Sequence, residues 1–333
     1  MAALPADVSI LPVDRAFWDD GALLAECLRE PVPRIPPHFG YDALGSRLFE
    51  AITELPTYYL TRVERALLER YSEDIAAALD TPRLAELGSG SGKKTRLLLD
   101  ACLRRRPTTY LPVDVSREML EHSAAELTAA LPGLVVQGLW GRYEAGLAQL
   151  RTEAGTGGGA EGEPVVVAFL GSNVGNTTPA ERDALFGEVA AALRPGDGFL
   201  VSADLVKPPE ELERCYNDPP GHDAFRRFRL NHLSHLNHRF GADFRLERYE
   251  PRAHAVGPVV EGHLHVLEDH TAALPGIGTV LDLRRGGSIN VGFSAKFEPE
   301  GLAEEVGRHG FTLQTSWVDD AEPYGIFLYR LGA

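Results

Sequence analysis

Cysteine, positive charge and long apolar runs are all scarce in this chain of 333 residues. The three cysteines, Cys27, Cys102 and Cys215, are widely spaced and odd in number. They match neither a disulfide framework nor a zinc site, which favours a reducing compartment. No apolar run approaches the ~20 residues that a membrane-spanning helix needs, and residues 1–11 lack the basic segment of a signal peptide. The sequence therefore predicts a cytoplasmic protein.

Acidic residues outnumber basic ones, with 48 Asp and Glu against 33 Lys and Arg, and the formal net charge is −15. A chain of this charge repels phosphate backbones and anionic lipid surfaces, so nucleic acid and membranes are not expected partners. A small molecule is the expected partner instead. The length and the 44% hydrophobic content allow one large domain or two ordinary ones. Nothing in the sequence reports the oligomeric state, and a monomer is compatible with it.

Strands and helices alternate from about residue 83 onwards. Helices are predicted at 44–52, 62–79, 94–104, 117–130, 179–193 and 299–309. Strands are predicted at 84–87, 109–113, 134–136, 164–170, 199–203, 312–318 and 324–331. The alternation is typical of βαβ units and a doubly wound sheet. A His-rich helix and short strands at 206–297 interrupt it, and residues 154–163 are predicted to be a flexible surface loop.

A glycine-rich segment connects the first predicted strand of this region to the following helix. It reads Glu86-Leu-Gly88-Ser-Gly90-Ser-Gly92, and Asp114 ends the next strand 22 residues after the last glycine. Glycines let a ligand approach a helix N-terminus closely, and a carboxylate at the second strand suits a ribose diol. A simple tight turn is the alternative. A nicotinamide dinucleotide fingerprint has different glycine spacing, which argues against an oxidoreductase.

Four further stretches narrow the class of protein. They are Tyr41 to Phe49 with Leu55 to Arg62, Tyr110 to Ser116, Phe169 to Asn176, and Cys215 to Asp218. With the glycine loop, they resemble the histidine-specific Nα-methyltransferases, S-adenosylmethionine (SAM) enzymes that make trimethylhistidine on the way to ergothioneine. Fungal relatives that N-methylate a prenylated tryptophan share the pattern. The resemblance runs from about residue 35 to the C-terminus.

The resemblance implies an α/β fold, with a Rossmann-like class I SAM methyltransferase domain and a mixed α+β substrate-binding domain. Residues 61–205 and 298–333 would form the first domain, and residues 1–60 and 206–297 the second. SAM would be the cofactor and S-adenosylhomocysteine the product. The implied SAM contacts are Glu86, Gly88, Ser89, Gly90, Gly92, Lys94, Asp114, Arg142, Tyr143 and Gly171.

The same resemblance implies the substrate site. The substrate-binding positions are Tyr41, Tyr58, Gly171, Asn176, Tyr216, Gly262, Gly292 and Ser294. Asn176 and Tyr216 would hold the carboxylate and amine of an amino acid, and Ser294 would contact its side chain. The predicted catalytic positions are Tyr41, Tyr58, Asn176 and Tyr216.

Three departures from the family pattern concern the pocket. Gly292 stands where the histidine enzymes have a glutamate that grips the imidazole, and Gly262 where they have a packing methionine. Arg142 replaces an acid near the adenine. The two glycines predict a larger, less polar pocket that favours a bulkier aromatic amino acid such as tryptophan or a derivative. Histidine itself, and a SAM-binding module without catalysis, are the alternatives.

Histidines recur every three residues at His232, His235 and His238. On one helix, this spacing could present ligands to a metal ion. No nearby cysteine or acidic set completes such a site, so no metal is predicted.

Overall fold

A computed structural model of the protein describes residues 5–13, 20–156 and 163–332. Residues 157–162 of the predicted surface loop lie outside the described residues. The chain divides into two compact units. The first unit comprises Met1–Arg15, Leu60–Val206 and Lys296–Ala333, and the second unit comprises Ala16–Tyr59 and Lys207–Ala295.

The first unit contains an eight-stranded mixed sheet. Elements are numbered along the chain, and its strands are β1 (Val8–Pro12), β2 (Arg83–Leu87), β3 (Thr109–Asp114), β4 (Val135–Trp140), β5 (Val165–Phe169), β6 (Gly198–Asp204), β12 (Phe311–Asp319) and β13 (Tyr324–Leu331). Their order is β1-β4-β3-β2-β5-β6-β13-β12. The neighbours from β1 to β6 pair in parallel, whereas β13 is antiparallel to β6 and β12. This sheet confirms the predicted Rossmann-like α/β fold.

Helices connect these strands. They are α3 (Leu60–Leu79), α4 (Thr95–Arg105), α5 (Arg117–Ala130), α6 (Tyr143–Thr156), α7 (Pro179–Ala192) and α10 (Pro299–Gly307). All five side chains of β5 are buried, as a central parallel strand requires. Ser116 caps α5 by accepting a hydrogen bond from the Met119 amide at 3.3 Å. The helix α6 was not predicted.

The first residues of the chain differ from the prediction. The sequence predicts no helix or strand in residues 1–40 and places them in the substrate-binding domain. In the structure, β1 instead pairs in parallel with β4 within the first unit. Val8 lies opposite Val136 in this pairing. The five-residue strand covers the edge that β4 would otherwise expose, and its local sequence has no strong strand signal.

The described part of the second unit has two small antiparallel sheets and four α-helices. A three-stranded sheet is ordered β11-β8-β7, and a two-stranded one pairs β10 with β9. The elements are α1 (Gly21–Cys27), α2 (Ala43–Thr53), α8 (Pro209–Cys215), α9 (Ala224–Phe240), β7 (Tyr249–Val256), β8 (Val259–Val266), β9 (His270–Leu274), β10 (Thr279–Leu283) and β11 (Ser288–Ala295). Leu233 and Leu236 of α9 share a buried core with Leu264 of β8 and Ile289 of β11.

No helix in the described ranges is long and apolar enough to cross a bilayer.

Candidate functional site

The loop after β2 has a backbone that only glycine adopts without strain. Gly88, Gly90 and Gly92 have φ angles of 69°, 53° and 65°, in the left-handed region. A β-carbon placed on Gly88 would lie 2.8 Å from the Tyr143 hydroxyl, whereas one on Gly90 would have no described atom within 4 Å. The loop is therefore tightly packed at Gly88 and open at Gly90, where a ligand can approach the backbone.

Asp114 connects this loop to the end of β3. Its Oδ2 accepts a hydrogen bond from the Gly90 amide at 2.9 Å, and its Oδ1 accepts one from the Ser116 amide at 2.8 Å. Burial raises the pKa of Asp114, although these amides favour its charged form. Each carboxylate oxygen retains a second lone pair, so the group can still accept hydrogen bonds from a diol.

Lys94 forms a buried ion pair that the sequence reasoning missed. Its Nζ lies 2.5 Å from Oε2 of Glu64, a residue of α3 whose side chain is 1% exposed. Oε1 of Glu64 accepts hydrogen bonds from the Gly171 amide at 2.7 Å and the Ser202 hydroxyl at 2.5 Å. Burial opposes ionisation, but the charge of Lys94 and these hydrogen bonds hold the pKa of Glu64 below its ordinary value. The sequence signal for this ion pair was an acidic residue, Glu64, next to Val63 on the apolar face of α3.

Two predicted SAM contacts have side chains that face the core. The carboxylate of Glu86 accepts hydrogen bonds from the hydroxyls of Thr95, at 2.9 Å, and Tyr110. Burial raises the pKa of Glu86 to about 7, although both hydroxyls favour its charged form. Ser89 is 5% exposed. These buried side chains support the loop from beneath.

The loop after β5 carries the second cluster of predicted residues in the first unit. Gly171 and Ser172 both have positive φ, at 82° and 56°. The Asn173 side-chain amide donates to the Leu170 carbonyl at 2.8 Å, and the Asn176 amide donates to Oδ1 of Asn173 at 3.2 Å. Asn173, which the sequence reasoning missed, thereby fixes the position of Asn176.

These loops meet at the carboxyl end of the parallel strands. A β-carbon on Gly171 would lie 2.7 Å from Nζ of Lys94, and one on Gly88 would lie 3.2 Å from Nδ2 of Asn173. Tyr143, the first residue of α6, packs its ring 5.3 Å from that of Phe169. Arg142 directly precedes it and is partly exposed. Ligands of doubly wound sheets bind at this edge.

In the second unit, an aromatic cluster surrounds Tyr216. Its hydroxyl lies 2.8 Å from that of Ser294, so these two predicted substrate residues are hydrogen-bonded to each other. The ring of Tyr58 lies 5.9 Å from those of Tyr216 and Phe225. Tyr58 is 6% exposed. The rings of Tyr58, Tyr216 and Phe225 therefore lie together beside the hydrogen bond between Tyr216 and Ser294.

Tyr41 extends this aromatic cluster. Its ring lies 5.5 Å from Phe49 and 5.3 Å from Phe228, and Phe49 lies 6.4 Å from Tyr58. The contribution of α9, which carries Phe225 and Phe228, was not predicted. The spacing of three residues between these aromatics was the available signal.

Gly262 and Gly292 are directly opposite each other on β8 and β11. A β-carbon on Gly292 would lie 3.9 Å from the α-carbon of Gly262, and one on Gly262 would lie 3.2 Å from Nε of Arg229. His263 and His265 alternate with buried residues of β8 and lie on the opposite face of the sheet from Gly262. On the face toward α9, the backbone at Gly292 is therefore open, whereas Arg229 of α9 covers Gly262.

The histidines of α9 have separate backbone partners. His232 is fully buried and places Nδ1 3.2 Å from the Phe228 carbonyl, whereas Nδ1 of His235 lies 2.8 Å from the Phe39 carbonyl. Burial lowers the pKa of His232 to about 4. Within the described residues, no group of three or more His, Cys, Asp or Glu side chains has the arrangement to hold a metal ion.

The sheet and its glycine loop define a class I SAM-dependent methyltransferase. Comparison with known proteins narrows the class: the family described as "Histidine-specific methyltransferase, SAM-dependent" matches residues 20–331. The chain therefore belongs to this family, and SAM is its cofactor. The resemblance inferred from the sequence is confirmed.

Individual relatives differ in the substrate that their names state. The chain is 35% identical over 300 residues to the histidine N-alpha-methyltransferase of Mycolicibacterium smegmatis, covering 88% of this chain and 89% of that one. It is 33% identical over 305 residues to the Mycobacterium tuberculosis enzyme of the same name, covering 90% and 91%. An L-tryptophan methyltransferase of Psilocybe serbica is 27% identical over 341 residues, covering 93% and 92%.

Proposed function

We propose that this enzyme transfers methyl groups from SAM to the α-amine of a free amino acid whose aromatic side chain is larger than imidazole, such as tryptophan or a derivative. The observation that carries the proposal is the Gly262–Gly292 pair in the unit that holds the Tyr216–Ser294 hydrogen bond. Histidine enzymes of the family would have a methionine and a glutamate there. Without the glutamate, the pocket gains volume at Gly292 and loses the partner of the imidazole N–H, while Arg229 takes the place of the methionine beside Gly262.

The first unit is proposed to bind SAM. The backbone at Gly90 is open to a ligand, Asp114 has lone pairs for the ribose hydroxyls, and Lys94 carries a positive charge suited to the methionine carboxylate. The hydroxyl of Tyr143 packs against Gly88 and closes the loop on one side. When bound, SAM supplies an electrophilic sulfonium methyl group.

The second unit is proposed to bind the amino acid. Tyr216 and Ser294 offer two hydroxyls that can donate or accept hydrogen bonds, which suits an amine in its unprotonated form. The faces of Tyr58 and Tyr41 can stabilise the positive charge that grows on nitrogen, by about 1 kcal/mol for a cation–π contact. The assignment of Asn176 to the amino-acid backbone stays a prediction.

A turnover assay with tryptophan and histidine tests this proposal. At equal concentrations, with S-adenosylhomocysteine release as the readout, kcat/KM for tryptophan should exceed that for histidine about ten-fold, the loss expected for a site without its polar partner. The reverse order would support an L-histidine Nα-methyltransferase. Binding of S-adenosylhomocysteine without turnover of any amino acid would indicate a non-catalytic SAM-binding module.

A further inference from the structure

Arg229 is a buried cation in the second unit. It belongs to α9, its residue is 6% exposed, and its Nη2 donates to the Tyr216 carbonyl. Within the described ranges, no carboxylate lies within ion-pairing distance of its guanidinium. Asp218 is the acid that favours the charged form of Arg229. Its two oxygens, however, already accept hydrogen bonds from the amides of Phe225 and Arg226, at 2.8 Å each. A buried charge without an ionic partner is costly, so it points to a function.

The guanidinium lies against a part of the sheet that has almost no side chains. Ala253, Gly262 and Gly292 form a row across β7, β8 and β11, each opposite the next. Nε of Arg229 would be only 3.2 Å from a β-carbon on Gly262. The guanidinium of Arg229 thus takes the place of a side chain at Gly262, whereas no described side chain lies within 4 Å of a β-carbon on Gly292.

The charge of Arg229 is retained at neutral pH. Burial lowers the pKa of Arg229 to about 10, which is still well above neutrality. A guanidinium presents a planar set of donors that pairs with two oxygens of a carboxylate at once. The charge of Arg229 is opposite to that of the glutamate that the histidine enzymes would have at the position of Gly292.

Arg229 also borders a surface cleft on another side. That cleft is lined by four acidic side chains and, with Arg229, four arginines: Glu210, Glu213, Asp218, Glu250, Arg214, Arg226 and Arg252. Their formal charges cancel, so the cleft gives an anion no net attraction. Gly292 lies two residues from Ser294 on the same face of β11, so the space beside Gly292 is the side of the guanidinium that borders the proposed amino-acid site.

We propose that Arg229 is the specificity-determining residue of the enzyme, and that the preferred amino acid carries an anionic oxygen group, such as a carboxylate, at the end of its side chain. This inference rests on the proposed function. The open backbone at Gly292 accommodates an aromatic ring, and the guanidinium over Gly262 pairs with the group attached to that ring.

Pairs of amino acids that differ only in charge test the inference. The kcat/KM for 4-carboxyphenylalanine should exceed that for 4-carbamoylphenylalanine at least ten-fold, and glutamate should be preferred to glutamine in the same sense. Arg229→Gln should bring both ratios close to one, and Arg229→Lys should retain part of the preference. Arg226→Gln is the matched control, because Arg226 is an exposed arginine of the same helix that pairs with Glu250; it should leave the ratios unchanged.

The outcomes separate this inference from the function on which it rests. Methylation of amino acids with no preference for the charged member in the unsubstituted enzyme would overturn the role of Arg229 alone. Binding of S-adenosylhomocysteine without methylation of any amino acid would overturn both. Thermal melting and S-adenosylhomocysteine titration check that each variant is folded. If Arg229→Gln does not fold, the ratios of the unsubstituted enzyme and of Arg229→Lys decide.

Discussion

The ammonium of Lys94 lies 2.5 Å from the buried carboxylate of Glu64, and the same carboxylate accepts the amide hydrogen of Gly171. Glu64 also accepts a hydrogen bond from Ser202, whose hydroxyl receives one from Tyr324 at 3.1 Å. One acid of α3 therefore joins the loop after β2 to the loop after β5 and to two central strands. The positions of both loops depend on it.

Glu64→Gln should lower the free energy of unfolding by about 3 kcal/mol, because it leaves the Lys94 charge beside a neutral amide. It should also weaken S-adenosylhomocysteine binding, because Lys94 and Gly171 lose their common anchor. Chemical denaturation and calorimetric titration measure the two effects. Glu69→Gln, on the exposed side of the same helix, removes a pair with Arg65 and should change stability by about 0.5 kcal/mol or less. Equal effects of the two substitutions would contradict the role of Glu64.

Gly90→Ala should weaken S-adenosylhomocysteine binding about ten-fold, because its β-carbon points into the open side of the loop. The matched control is Gly196→Ala, in the turn before β6. Both glycines have positive φ and no described atom within 4 Å of an added β-carbon. Each substitution should therefore cost about 1 kcal/mol of stability, and only Gly90→Ala should affect binding. Unchanged binding in the Gly90 variant would place the ligand elsewhere.

The stability contribution of Glu86 should depend on pH. Burial raises the pKa of Glu86 to about 7 in the folded protein, from 4.5 ordinarily. Between these values the folded state keeps a proton that the unfolded state has released, so this group's contribution to stability falls as the pH rises. Glu86→Gln, which resembles the protonated form, should become more stable relative to the unsubstituted protein between pH 5 and pH 8. Denaturant titrations at both values measure the change, and the exposed Glu118→Gln is the matched control; an equal change in both variants would contradict the role of Glu86.

The parts of the site that the sequence predicted are local patterns. The glycine spacing from Gly88 to Gly92 lies within one strand–loop–helix segment, and Asp114 follows at the end of the next strand. Glu64 and Arg229 were not predicted, because the burial of a charge depends on tertiary packing. Their neighbours Gly171 and Gly262 are 107 and 33 positions away along the chain. Glu64 and Arg229 are both in helical register with buried apolar neighbours, but the sequence pattern alone does not show which partner would compensate the buried charge.

For secondary structure too, elements with local sequence signals were predicted, whereas elements that depend on distant residues were not. The helix α5 and the buried strand β5 match their predicted positions, because capping and continuous apolar residues are strong signals. The helix α6 lacks a clear apolar stripe, and its sequence includes two glycines. The edge strand β1 acquires its structure only by pairing with β4. Elements that depend on a distant partner leave little trace in their own sequence.

Tyr216→Phe should raise the KM for the amino acid about ten-fold, the equivalent of one hydrogen bond of about 1.4 kcal/mol. Affinity for S-adenosylhomocysteine should not change. Adding Ser294→Ala should have less than an additive effect, because the two hydroxyls are hydrogen-bonded to each other. Steady-state kinetics of the single and double variants measure this coupling.

Tyr249→Phe is the control for this cycle. It removes a buried hydroxyl of the second unit that lies 2.8 Å from Nε2 of His270. It should lower stability without changing the KM. A KM increase of equal size in both tyrosine variants would assign the Tyr216 effect to folding.

Gly292→Glu should increase kcat/KM for histidine relative to tryptophan about ten-fold. The substitution restores a carboxylate where the family's histidine enzymes would have one, and its β-carbon has 3.9 Å of clearance from Gly262. It would also neutralise Arg229 and reduce any preference for anionic side chains. Gly292→Leu, of similar size but without charge, should not favour histidine. An equal gain from both substitutions would attribute the effect to pocket volume.

Product analysis tests the central claim most directly. The enzyme is incubated with SAM carrying a deuterated methyl group and with single amino acids, the aromatic and carboxylated ones included, and the products are fragmented by mass spectrometry. Labelled methyl groups are expected on the α-nitrogen of at least one free amino acid. An enzyme that binds S-adenosylhomocysteine but places no label on the α-nitrogen of any of them would contradict it.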